Sequence, residues 1–115
     1  MPLDNATIAT EDFDYIVHDG SPLTLRLFRP AGDGSFPVGV DVHGGAWNTG
    51  DLTDSDARDR FLAEAGIAAA AIDFRHAADG YPKSSIDINY AVRWVKSRAA
   101  GLKIDPDRVA LCGQS

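Results

Sequence analysis

The sequence predicts an α/β protein: a mostly parallel central sheet with helices on both faces, in the order β-β-β-α-β-α-β. Strand-like runs alternate with helix-length amphipathic segments, and such alternation makes successive strands parallel. The later strand-like runs are apolar throughout, as strands covered on both faces are. Glycine-bearing turns with reactive neighbours fall where strands end, the side of such a sheet where ligands bind.

Phe13-Asp14-Tyr15-Ile16-Val17 reads as the first strand, closed by the turn pair Asp19-Gly20. Leu23 to Arg29 alternates, with Leu23, Leu25 and Leu27 on one face, so the two runs read as an antiparallel pair at a sheet edge. The loop from Pro30 to Ser35 leads into a third strand, Val38 to Val42. Thr53 to Ala65 puts Ala57, Phe61, Leu62 and Ala65 on one helical face, and Gly66 is placed to end that helix. Ile67 to Ile72 is too short for a typical helix. Its alanines are poor strand formers, so Gly66 before it and Asp73 after it decide for a strand buried on both faces. Ser84 to Ala99 is the clearest helix, with Ile86, Tyr90, Ala91, Trp94 and Val95 in one stripe. Ser84 and Asp87 have capping-box spacing there, and Gly101 is placed to terminate. From the Asp105-Pro106-Asp107 turn, Arg108 to Cys112 forms a last short buried strand.

Composition narrows the function classes. The 115 residues are 44% hydrophobic, enough for the core of one ordinary domain, and contain no internal repeat or long linker. Eleven Lys and Arg against 17 Asp and Glu give a net charge of −6, which argues against nucleic acid or an anionic membrane as partner. The single cysteine, Cys112, excludes an internal disulfide framework and a Cys-rich zinc site. The N-terminus shows neither a basic nor an apolar leader segment. The longest apolar run, Ile67 to Ile72, is far short of the roughly 20 residues of a spanning helix. These features together predict a cytoplasmic chain.

Two strand ends carry the chemistry. The third strand runs into His43-Gly44-Gly45-Ala46-Trp47, where paired glycines let backbone N–H groups approach a bound oxygen with no Cβ in the way. Such a turn can present donors to the oxyanion of a tetrahedral intermediate. The last strand runs into Gly113-Gln114-Ser115, the first half of a Gly-x-Ser-x-Gly nucleophile elbow. Gly-x-Ser alone is common. Paired with His-Gly-Gly after an earlier strand it is far more specific, because acyl transfer needs both parts in one cleft.

From His43 onward the chain resembles the N-terminal half of an α/β-hydrolase, close to the hormone-sensitive-lipase-like carboxylesterases and the related kynurenine formamidases. The resemblance rests on His43-Gly44-Gly45-Ala46-Trp47, Asp73-Phe74-Arg75, Tyr81-Pro82, Asp87 with Ala91 to Val95, and Asp105 to Val109 leading to Gly113-Gln114-Ser115. It implies that Ser115 is the nucleophile, that backbone N–H groups of Gly45 and Ala46, with Gly44 adjacent, form the oxyanion hole, and that His43 orients the Gly-Gly turn. It implies a small-molecule carboxylic ester as substrate and no cofactor or metal. Ala46-Trp47 leans toward the formamidase-like branch, so an arylformamidase-type amide hydrolase is the alternative; a non-catalytic binding protein of the same fold is another. In the family the acid and the base follow the nucleophile, and His18, His43 and His76 all precede Ser115. Residues 1–115 are therefore expected to be the N-terminal portion of a single hydrolase domain, inactive alone and completed by a C-terminal half, as continuation or separate chain.

The remaining candidates read as structural. Asp73 and Arg75 suggest an ion pair or turn, Asp87 a helix N-terminal residue favouring the dipole, and His18 and His76 solvated surface side chains. Trp94 reads as core, Cys112 as an inert small hydrophobe, and Trp47 as either packing or a pocket wall. Asp41, on a central strand, must face a cleft or find a donor.

Overall fold

The computed structural model describes residues 7–45 and 50–114. Five strands form one sheet: β1 (Ala9–His18), β2 (Ser21–Arg29), β3 (Phe36–Val42), β4 (Ala68–Ile72) and β5 (Ile104–Gly113). Two helices cover it, α1 (Asp56–Glu64) and α2 (Lys83–Leu102), and short 3-10 turns precede each, at Leu52–Ser55 and Ala77–Asp79. The order across the sheet is β1-β2-β4-β3-β5. β1 and β2 pair antiparallel at one edge as the alternation predicts, β2 joins β4 antiparallel, and β3 lies parallel to both β4 and β5.

β4 shows why alanine can build a central strand. All five of its residues are buried. Ala68, Ala70 and Ile72 join the larger core with Leu25, Val40 and α2 residues Ala91, Trp94 and Val95. Ala69 and Ala71 face the other way, to Phe28, Leu52 and Ala63 of the α1 side. Small side chains on both faces let two helical layers approach, and that packing outweighs the low strand propensity of alanine. Trp94 is core, with its ring 5.2 Å from that of Phe13.

Four expectations are corrected. The α1 stripe is not the apolar one: Phe61 is 67% exposed, and Ser55, Asp59 and Ala63 face inward. Ser84 does not cap α2; its hydroxyl donates to the Arg75 carbonyl from inside the helix, and Pro82 at the cap makes no side-chain bond. Gly101 lies within α2, which runs on to bury Leu102 and stops where Lys103 turns left-handed at φ +63°. β5 is not buried within residues 7–114, where it is the outermost strand opposite β1, with Leu111 57% exposed and Cys112 half-buried. The Asp105-Pro106-Asp107 turn sits inside β5 as a bulge, residues 105–108 standing opposite Pro37 between the pairs Phe36–Ile104 and Val38–Val109.

Candidate active site

β3 and β5 are parallel neighbours, so their carboxyl ends bring the His43-Gly44-Gly45 turn and the Gly113-Gln114 turn to one side of the sheet. Ala46, Trp47 and Ser115 lie outside the described residues. His43 is 5% exposed, and its Nδ1–H donates to the Gly44 carbonyl at 2.7 Å. Its ring stacks on Phe74, centroids 4.5 Å apart, and meets His76 edge-on at 5.8 Å. His76 is thus part of the wall behind the turn. Gly45 takes φ +121°, a conformation that a side chain would strain, which is why the turn needs glycine there.

A cavity of about 560 Å³ opens at these strand ends, lined by Val42, His43, Phe74, Tyr81, Gly113 and Gln114 among others. Its size and mostly apolar wall suit a small organic ligand.

Two buried carboxylate networks brace this end of the sheet, one on each face. On the α2 face Asp87, near the start of that helix, is fully buried and serves an ion pair and not only the helix dipole. It accepts from the Arg75 backbone N–H at 2.8 Å, from Arg75 Nε and Nη2 at 3.0 and 2.9 Å, and shares a 2.9 Å bond with His18 Nε2. His18 is accordingly an anchored side chain instead of a solvated one. Burial pushes the Asp87 carboxyl up, but the bonds from Arg75 and His18 outweigh it and hold it below the usual carboxylate range. Arg75 pairs with Asp87, while Asp73 accepts from the Leu52 N–H at 2.8 Å; its burial raises its pKa. Tyr15, buried under the same loop, donates to the Asp73 carbonyl, and burial pushes its phenol up.

On the α1 face Asp41 finds its donors: Arg58 Nη2 at 2.6 Å and Gln114 Nε2 at 3.1 Å, both to Oδ1. Asp59, fully buried, faces the same carboxylate, and burial followed by its hydrogen bond to Asp41 and the Asp41 charge pushes it up to about 8. The sequence reading missed Arg58, Asp59 and Ser55. Their signal is the i, i+4 spacing of Ser55, Asp59 and Ala63, a stripe of small and polar residues that a search for apolar periodicity passes over.

A profile of the BD-FAE family matches residues 25–115, both glycine turns included. The chain belongs to the BD-FAE family. Ethyl acetate hydrolase of Pseudomonas putida is 34% identical over 109 residues, 90% of this chain and 34% of that enzyme. Carboxylesterase NlhH of Mycobacterium tuberculosis is 38% identical over 102 residues, 85% of this chain and 32% of that one. The solved esterase Est2 of Thermogutta terrifontis superposes with a TM-score of 0.86 at 27% identity, covering 92% of this chain and 40% of its own. The fold is therefore the N-terminal part of an α/β-hydrolase, and the resemblance to hormone-sensitive-lipase-like carboxylesterases is borne out. The chain spans about a third of the length of these two curated relatives. Among the described residues of this BD-FAE member, no group of three or more His, Cys, Asp or Glu could hold a metal ion. No described helix is long and apolar enough to cross a membrane.

Proposed function

We propose that the protein is a serine carboxylesterase acting on small carboxylic esters through an acyl-enzyme on Ser115. The observation that carries this reading is the convergence of the Gly44-Gly45 turn and the Gly113-Gln114 turn at adjacent parallel strand ends beside one apolar cavity. Ser115 Oγ attacks the ester carbonyl while a general base takes its proton. The oxyanion accepts hydrogen bonds from the Gly45 and Ala46 N–H groups. The alcohol leaves with the proton from the base, and water then releases the acid. His43, with Nδ1 committed to the Gly44 carbonyl, serves the turn and not the serine. The base and its orienting acid belong to a C-terminal half of the same hydrolase domain, in keeping with the third of the relatives' length that this chain covers. The similarity to ethyl acetate hydrolase and carboxylesterase NlhH favours esters over the formamides to which Ala46-Trp47 points.

The test compares p-nitrophenyl acetate with an N-formyl aromatic amine on the full-length protein and its Ser115→Ala variant. Faster ester turnover, abolished in Ser115→Ala, supports the reading. A preference for the formamide replaces it with the amidase, and full activity in Ser115→Ala removes the nucleophile assignment.

A further inference from the structure

Gln114 is the residue between the elbow glycine and Ser115, and it is held at three points. Its backbone N–H donates to the Val42 carbonyl at 3.2 Å, and its side-chain amide donates to Asp41 Oδ1 at 3.1 Å and to the Ser55 hydroxyl. The three acceptors lie on β3 and on the 3-10 turn before α1, elements that are themselves packed in place. Asp41 is 3% exposed and is locked by Arg58 Nη2 at 2.6 Å. Behind it, neither oxygen of the fully buried Asp59 meets a donor among the described residues, nor does Asp41 Oδ2. Two ionised carboxylates cannot face each other in such a site, but one proton held by Asp59 and donated to Asp41 satisfies both. The negative charge then stays on Asp41, where Arg58 and Gln114 donate to it. A buried ionic group of this kind is a poor source of stability compared with an apolar pair of the same volume. Its use must lie in direction: a charged acceptor fixes an amide more tightly than a neutral one.

We propose that Asp41 is a positioning residue that fixes, through the Gln114 amide, the turn carrying Ser115. Asp41 touches neither substrate nor Ser115 in this scheme; it acts only through residue 114. The inference rests on Ser115 being the nucleophile. Asp41→Asn keeps the shape but removes the charged acceptor that faces Arg58 and Gln114. Gln114→Met keeps the length of the side chain and removes both of its bonds.

The experiment is a double-mutant cycle on the full-length enzyme with p-nitrophenyl acetate, with Ser115→Ala as control. Each single variant is expected to lower kcat about tenfold or more with KM within about twofold, since displacing a reacting group by a fraction of an ångström is costly while substrate contacts remain. The double variant is expected to be no slower than the slower single one, because both remove the same restraint. Multiplying losses, or a Gln114→Met kcat within about twofold of wild type, would overturn the inference. The second result does so even where Asp41→Asn fails to fold. Activity surviving in Ser115→Ala instead strikes the nucleophile reading beneath it, so the two failures are told apart.

Discussion

Asp87→Ala tests whether the carboxylate under α2 holds the strand-end loop to the sheet. The carboxylate accepts four hydrogen bonds, three of them from Arg75, and is fully buried. Breaking a buried ion pair by removing one partner costs about 3–5 kcal/mol when the other charge stays trapped. Here both partners keep a path to water, for the side chains of Arg75 and His18 are 22% and 26% exposed. Their heads can rehydrate, which moves the expectation to the low end. The Arg75 backbone N–H loses its acceptor as well, a further charge of about 1–3 kcal/mol if it stays dry. The removed carboxylate no longer carries its own desolvation penalty, which offsets part of this. About 3 kcal/mol remains, a factor of about 10² in the folded-to-unfolded ratio. Urea unfolding of the full-length protein, followed by tryptophan fluorescence, reads this as a lower midpoint at unchanged slope. A loss under about 1 kcal/mol would mean that the four bonds are replaced by water at no cost, and the bracing argument would fall. His18→Ala, which removes one bond of the four, is expected to cost only about 1 kcal/mol.

Three other outcomes follow from the same geometry. Asp59 holds a proton when folded, its pKa raised to about 8 by burial and by Asp41 despite the opposing charge of Arg58, and loses it near 3.8 when unfolded. Native protein therefore binds the extra proton between those values, and stability falls as pH rises through that window; in Asp59→Asn the slope should be flatter by about 1.4 kcal/mol per pH unit, and a slope matching wild type in thermal melts from pH 5 to 8 would contradict the shared proton. Gly45→Ala forces a Cβ into φ +121°, so esterase kcat should drop at least tenfold with the fold intact by circular dichroism; a fully active variant would show that the turn is not strained. Ala70→Leu overfills the fully buried centre of β4 and is expected to cost about 1–3 kcal/mol in urea unfolding, whereas no loss would reveal unoccupied space between sheet and helix.

The strands and α2 were legible because each carries a period or a bounded apolar run, even the alanine-rich β4, where flanking Gly66 and Asp73 decided what propensity could not. The two turns of the candidate site were legible only as a pair, since a glycine turn at one strand end is common and two at neighbouring strand ends are not. The buried carboxylates were not. Asp87 and Asp59 look in the sequence like ordinary charged positions on helices, and only the fold reveals that Arg75 and His18 close over the first and Asp41 faces the second. The α1 face was misjudged for the same reason: hydrophobic periodicity ranks Phe61 above Asp59, whereas the pairing with β3 turns Asp59 inward and leaves Phe61 outside.

The placement of those carboxylates is itself informative. The middle of β3 and of β4 packs with aliphatic and alanine side chains, and the buried acids of the described residues gather where strands finish: Asp41 at the end of β3 with Asp59 of α1 facing it, and Asp87 against the loop that leaves β4. An apolar filling could have stabilised the carboxyl ends as well as it stabilises the centre. What it could not do is give the departing loops a direction, because dispersion contacts tolerate sliding and hydrogen bonds to a fixed charge do not. Arg75 is aimed by Asp87 and lies one residue beyond Phe74, which stacks on His43; Gln114 is aimed by Asp41 and lies one residue before Ser115. One network thus ends one residue from the ring that stacks on His43, the other one residue from the proposed nucleophile, on opposite faces of the sheet.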